Sequence, residues 1–154
     1  MGELTVTEAD PVTLTAMSYT REYGDENPTF EFTAEGAAVN GEPAIECEAT
    51  AASPVGTYDI VIKKGGVKNY NDTYVNGTLT ITKAPLTITV ESCTRKQGEE
   101  NPTFVLTYEG FKNDETAEVL TKQPTVTTEA VASSEPGKYA ITVSGAEAQN
   151  YEIS

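Results

Sequence analysis

The sequence predicts a mostly β protein of two tandem small antiparallel modules, and three observations carry that prediction. Threonine alternates with aliphatic residues in runs such as Leu79-Thr-Ile-Thr82, Leu86-Thr-Ile-Thr-Val90 and Tyr139-Ala-Ile-Thr-Val143. Period-two alternation of this kind sets one face of a strand on a core and the other in water. Turn chemistry punctuates the runs at Gly24-Asp-Glu-Asn-Pro28 and Gly98-Glu-Glu-Asn-Pro102, where Gly relieves positive φ and Pro fixes φ before the next strand. Finally, the chain repeats itself. Val12–Gly36 reads VTLTAMSYTREYGDENPTFEFTAEG, and Leu86–Gly110 reads LTITVESCTRKQGEENPTFVLTYEG. By direct count about fourteen of these twenty-five positions are identical, a self-similarity typical of tandem modules.

The match resumes at Pro43 with Pro124 and at Ser53–Tyr58 with Ser134–Tyr139, and it ends at Asn69-Tyr70 with Asn150-Tyr151. The offset has by then grown by seven residues, which places an insert between Phe111 and Gln123 of the second copy. Alternation and turn signals predict strands near 12–18, 29–35, 43–50, 56–63 and 76–82 in copy one. In copy two they fall near 86–92, 103–109, 124–130 and 137–144. Phe30, Phe32, Tyr58, Ile60, Ile62, Leu79 and Ile81 then fill the first core, and Phe104, Leu106, Val126, Tyr139, Ile141 and Val143 the second. Asn76-Gly77 between two alternating runs reads as a two-residue hairpin. One stretch reads as helical, Asn113–Thr121, with an acidic start and good helix formers, and it belongs to copy two alone. Copy one has the tight Val39-Asn-Gly-Glu42 turn in its place.

The ends follow the same pattern. Gly2-Glu-Leu-Thr-Val-Thr7 resembles Gly77-Thr-Leu-Thr-Ile-Thr82, the closing strand of copy one, whereas copy two stops before any counterpart of that strand. The expected organisation is therefore residues 1–10 as the closing strand of an upstream repeat, 11–83 as the first β repeat and 84–154 as the second without its closing strand. The chain reads as a stretch of a longer array, its second copy left with an unpaired sheet edge of the kind that recruits strands. A frame with units of roughly 1–75 and 76–154 stays open. The Lys83-Ala-Pro85 connection is short and extended, which favours a semi-rigid rod.

Composition narrows the chemistry. The 154 residues include 24 Asp plus Glu against 10 Lys plus Arg, no His, no Trp and two Cys. Without His, no Ser-His-Asp or Cys-His nucleophile can be assembled. The net charge of −14 opposes nucleic acid and anionic membrane surfaces, and no apolar run is long enough to insert in a bilayer. Cys47 and Cys93 have Thr128 and Tyr19 as their repeat partners, so a framework disulfide recurring with the repeat is not expected; both read as strand-buried thiols, with a bridge between the modules as the alternative. Asp25, Glu26 and Asn27, with Glu99 and Glu100, are the candidate oxygen ligands for Ca²⁺. Two adjacent acids fall short of the six to eight oxygens calcium takes, so neither a metal nor a cofactor is expected. Glycosidase-type carboxylate pairs need a sugar-holding cleft, which small modules without Trp seldom provide. The candidate binding residues are Tyr23, Tyr70 and Tyr74, since aromatic faces take glycans and proteins.

Tyr23-Gly-Asp-Glu-Asn-Pro28, Ser53-Pro-Val-Gly-Thr-Tyr58, Asn69-Tyr70 and Tyr74-Val-Asn-Gly-Thr-Leu-Thr-Ile81 together resemble the MBG/YDG-type repeats of large bacterial surface proteins, over nearly the whole chain and twice. The fold expected is an immunoglobulin-like sandwich or a β-grasp-like module. Copy two departs at Gln97, where the family usually has Tyr, and copy one lacks the helical insert. The resemblance implies a secreted or surface-anchored, adhesin-like protein and brings no catalytic residues with it. The function expected is a non-catalytic repeat module, an extended stalk and adhesion or interaction domain. The alternative is a dedicated glycan- or protein-binding module using its tyrosines. The partners expected are a protein or glycan at the cell surface and neighbouring repeats of the same chain.

Overall fold

The computed structural model describes residues 1–154, and the chain divides into two compact units, Met1–Thr82 and Lys83–Ser154. It is almost entirely β, as the alternation predicts. The first unit holds β1 (Val12–Ala16), β2 (Tyr19–Glu22), β3 (Phe32–Gly36), β4 (Ala44–Cys47), β5 (Gly56–Lys63), β6 (Asp72–Val75) and β7 (Gly77–Thr82). The second holds β8 (Ala84–Val90), β9 (Leu106–Glu109), a single 3-10 turn (Ala117–Val119), β10 (Thr125–Thr128), β11 (Ile141–Ser144) and β12 (Tyr151–Ile153). Residues 1–10 form no strand and are exposed.

The first unit has two sheets, ordered β3-β1-β6 and β2-β7-β5-β4. The stretch expected as one strand over 12–18 leaves the first sheet after Ala16 and enters the second at Tyr19. The stretch 72–82 makes the same switch between Val75 and Gly77. β1 runs parallel to β6 and β2 parallel to β7, with the same residue offset before and after the switch. Pairing is thus mixed rather than wholly antiparallel. The two stretches cross between sheets side by side, and the remaining strands flank them in antiparallel fashion.

Asn76-Gly77 is accordingly a crossing and not a hairpin, because the strands on either side of it lie in different sheets. A type I′ turn needs positive φ at both central residues, and neither Asn76 nor Gly77 has it. Glycine stands at 77 for another reason. A Cβ there would lie 2.5 Å from the Met17 carbonyl oxygen and 2.7 Å from that of Ala16. The Asn76 side chain accepts from the Ile62 N–H (3.1 Å), and Ser18 Oγ accepts from the Thr78 N–H (3.0 Å). These bonds pair backbone donors that the sheet switch leaves without ladder partners.

Val12, Leu14 and Ala16 of β1, Ile60 and Ile62 of β5, and Leu79 and Ile81 of β7 are buried together with Tyr23, Ala49 and Val67. Burying a side chain the size of Leu or Ile contributes about 1.5–3 kcal/mol. The β7 pair, Leu79 and Ile81, is therefore a large share of what holds this unit. Phe30, Phe32 and Tyr58 are only half-buried, at the rim.

The second unit has the sheets β12-β8-β9 and β10-β11. Its buried side chains are Ala84, Leu86, Leu120, Ala148 and Tyr151. Phe104, Leu106, Val126, Ile141 and Val143 are half-buried, and Tyr139, expected in the core, is 42% exposed. The stretch read as a helix contains one 3-10 turn with Thr116 as its N-cap. Asn113 (φ 53) and Asp114 (φ 57) sit in the left-handed region, which interrupts any right-handed helix starting there. Gly24 (φ 86) and Gly98 (φ 90) occupy the same region, the conformation for which glycine was read at those turns.

Candidate functional site

Of the three candidate tyrosines, the structure brings Tyr70 and Tyr74 to one end of the first unit and removes Tyr23. Tyr23 is 4% exposed, and its N–H donates to the Thr82 carbonyl at 2.8 Å. It belongs to the core and presents no face for a ligand. Tyr70 is 94% exposed, whereas its repeat counterpart Tyr151 is 2% exposed. The insert accounts for the contrast. In the second unit Phe111 meets the Tyr151 ring edge-on at 5.5 Å, the Lys112 N–H donates to its hydroxyl at 2.9 Å, and that hydroxyl donates to Glu115 Oε1 at 2.6 Å. Copy one lacks these covering residues, so its tyrosine stands clear in water.

Tyr74 is half-buried, and its hydroxyl donates to Asp72 Oδ2 at 2.6 Å. Lys64 Nζ reaches the same oxygen at 2.6 Å and also donates to the Asn69 carbonyl. Lys64 first, and then Tyr74, hold the Asp72 carboxyl below its ordinary range. Desolvation and the bond to Asp72 push the Tyr74 phenol up to about 12. Nothing in the spacing of Lys64, Asp72 and Tyr74 singles out this cluster, and sequence reasoning identified only its tyrosine.

The acidic turns carry a hydrogen-bonded clamp. Asn27 Oδ1 accepts from Arg21 Nε (2.9 Å) and its Nδ2 donates to the Ala49 carbonyl (2.7 Å), while Arg21 Nη2 donates to the Thr50 carbonyl (2.7 Å). The second unit repeats the arrangement. Asn101 accepts from Arg95 Nε (2.8 Å) and donates to the Ala130 carbonyl (2.8 Å), and Arg95 Nη2 donates to the Val131 carbonyl (2.6 Å). Each Arg–Asn pair clamps the turn onto the loop that precedes β5 or its counterpart. Asn27 is thus a structural clamp residue, and Glu99 spends one oxygen on the Lys96 N–H (3.1 Å). Asp25, Glu26 and Glu100 stand on the same turns, and the chain holds no group of three or more His, Cys, Asp or Glu arranged to hold a metal ion. The recurrence of Arg and Asn six residues apart in both copies was the available signal.

Both cysteines are free, with Cys47 half-buried and Cys93 exposed rather than strand-buried. Two surface grooves lie elsewhere on the chain. One of ≈ 470 Å³, in the first unit, is lined by Phe30, Glu31, Phe32, Glu42, Pro43 and Ile45. The other, of ≈ 890 Å³, lies in the second unit between the segments 90–97 and 134–141.

The family model described as MBG domain (YGX type) matches residues 12–80 and again residues 86–154. The chain belongs to the MBG family. Its two MBG repeats lie within the two units seen in the structure, and the YGX tripeptide of the first becomes Gln97-Gly98-Glu99 in the second. No curated protein and no solved structure matches the chain.

Two outcomes follow from this geometry. Asn27→Ala removes both bonds of the first clamp and leaves the buried Arg21 (8% exposed) short of an acceptor; the expected cost is about 2–3 kcal/mol, read from the urea unfolding of that unit. Asn101→Ala costs less, because Arg95 is more exposed. In an ultraviolet pH titration the Tyr74 phenol ionises late, near pH 12, and Asp72→Asn brings that step back toward the ordinary value. The folded Tyr74 keeps a proton that the unfolded chain releases from about pH 10. Its contribution to stability is therefore whole below pH 10 and disappears as pH rises through 12. That of Asp72 is present above the ordinary carboxylate range and disappears as pH falls below it.

Proposed function

We propose that these MBG repeats form a non-catalytic module of a secreted or surface-anchored bacterial protein, working as an extended spacer that also offers contact surface. The observation that carries the reading is the tandem itself: two copies of one β pattern, with only Lys83 between the last strand of the first unit and the first strand of the second. A connection this short leaves little slack. Among the polar residues that recur, Arg21 with Asn27 and Arg95 with Asn101 are occupied in holding turns. The net charge of −14 keeps such a spacer soluble and repels polyanions. Small-angle X-ray scattering tests the proposal: the longest dimension should approach the sum of two units laid end to end, and a profile for two units packed side by side overturns it.

A second reading has one observation in its favour. The Tyr70 ring is exposed over 94% of its surface beside the charged Lys64–Asp72 pair, a combination suited to stacking on a sugar ring or a partner side chain. On a glycan array or in a pull-down, Tyr70→Ala should weaken any binding by about tenfold or more. Binding that survives the substitution unchanged removes this surface from consideration.

A further inference from the structure

The tight Val39-Asn-Gly-Glu42 turn of the first unit takes no part in the clamp or in the crossing between sheets. It carries one of the chain's two Asn-Gly dipeptides, Asn40-Gly41; the other is Asn76-Gly77. An asparagine side chain can close a ring on the next backbone nitrogen, and a following glycine, having no Cβ, obstructs that approach least. By local sequence the two dipeptides are equally disposed to react. The fold sets them apart.

Asn40 and Gly41 are exposed, and neither the Asn40 side chain nor the Gly41 N–H makes a hydrogen bond. Two bonds hold the Asn40 main chain. Its N–H donates to Asn69 Oδ1 at 2.8 Å, and its carbonyl accepts from the Lys68 N–H at 2.7 Å. Both belong to irregular chain outside every strand, where local opening costs least. At the other dipeptide the Asn76 side chain is spent on the Ile62 N–H (3.1 Å). Gly77 is buried in β7, in register with Ile60 and close against the Ala16 and Met17 carbonyls. Ring closure there has to undo the crossing, an opening that approaches unfolding of the whole unit. We infer that Asn40 is a site of spontaneous deamidation, which the fold leaves open while it closes the same chemistry at Asn76.

The Gly41 nitrogen gives its proton to hydroxide and attacks Asn40 Cγ. The bond from Cγ to the side-chain nitrogen breaks, and that nitrogen takes a proton from water and leaves as ammonia, so a succinimide ring remains. Water opens the ring at Cγ to give aspartate, or at the former main-chain carbonyl to give isoaspartate. Nothing is oxidised or reduced. In isoaspartate the main chain runs through Cβ and Cγ, one carbon longer, and the oxygen that accepted the Lys68 N–H becomes part of a free carboxylate. The turn has no slack for this. Gly41 lies against the Gly66 carbonyl with no room for a Cβ, and the Gly66 N–H donates to the Glu42 carbonyl at 2.8 Å. The reaction therefore loosens the segment 64–70, which ends at the bare Tyr70. The second unit has its insert in place of this turn and contains no Asn-Gly, so the change belongs to the first unit alone.

The test is peptide mapping by mass spectrometry of the 154-residue chain, held for weeks in mildly alkaline buffer both folded and in urea. In urea the two dipeptides should react at comparable rates. In the folded chain Asn40 should react at least about tenfold faster than Asn76. Equal rates in the folded chain, or an Asn40 that keeps its amide while the urea sample loses it, overturn the proposal. Asn69→Ala removes the acceptor of the Asn40 N–H and should speed the reaction at Asn40 several-fold, with Asn76 still at its wild-type rate. An unchanged rate at Asn40 refutes opening of this segment as the controlling step. Hydrogen exchange of the aged wild-type protein supplies a readout that needs no variant. The Gly66 and Lys68 amides should lose protection while those of β5 and β7 keep theirs, and protection equal to that of fresh protein at Gly66 and Lys68 refutes the loosening.

Discussion

The first unit depends on two stretches of chain changing sheets at the same place. Residues 12–22 and 72–82 run parallel, and each leaves one sheet and enters the other while keeping its partner in register. A strand that changes sheets abandons its ladder for a residue or two, and the stranded backbone groups must find other partners. Here Ser18 and Asn76 supply them from side chains, and Gly77 lets the two backbones come within reach by having no Cβ to obstruct the Ala16 and Met17 carbonyls. With the crossing fixed, alternation fixes the rest. Val12, Leu14 and Ala16 point inward before it, Leu79 and Ile81 after it, and the interior closes between the two sheets.

That closure explains why two copies so alike in sequence differ in how completely they bury their residues. The stretches equivalent to β2 and β5 are present in the second unit, yet one is not a strand at all and the other begins only at Ile141. A central strand supplies hydrogen bonds to both neighbours, so without it both flanks lose regular pairing, and the apolar residues facing it stay half in water. Tyr139 and Cys93, exposed here, occupy positions whose counterparts Tyr58 and Tyr19 are half-buried around β7. The opposite asymmetry arises at Tyr70 and Tyr151, where the seven-residue insert of the second copy covers a ring that the first leaves bare.

Much of the fold was legible because strand faces are written in local pattern. The run 56–63 is observed as read, and Ile60, Ile62, Leu79 and Ile81 are buried as their alternation requires. Non-local pairing escaped the sequence. The switch at Met17-Ser18 moves the inward positions from Val12, Leu14 and Ala16 to Tyr19 and Arg21. That slip of one residue is hidden where the inward side chains turn polar, and Asn-Gly is the commonest hairpin dipeptide even where, as at Asn76-Gly77, the glycine serves a close approach. Asn113 and Asp114 read as a helix start because Asn and Asp suit N-caps, but the same short polar side chains tolerate the left-handed conformation that ends a helix. Tyr23 shows the limit for the site: an aromatic in a polar turn carries no mark of which way its ring faces, and here it faces the core.

Arg21 and Asn27, which recur as Arg95 and Asn101, have little freedom to do anything but hold their turns. Arg21 spends its guanidinium on Asn27 and the Glu22 and Thr50 carbonyls, Arg95 does likewise with Asn101, Lys96 and Val131, and both asparagines spend their amides on loop carbonyls. Neutral oxygens take up these guanidinium donors, and no buried carboxylate has to be desolvated to meet them. One difference between the copies reaches the surface, where the insert covers Tyr151 and leaves its counterpart Tyr70 bare. Repetition therefore preserves the clamp, while differences between copies determine which surfaces meet solvent.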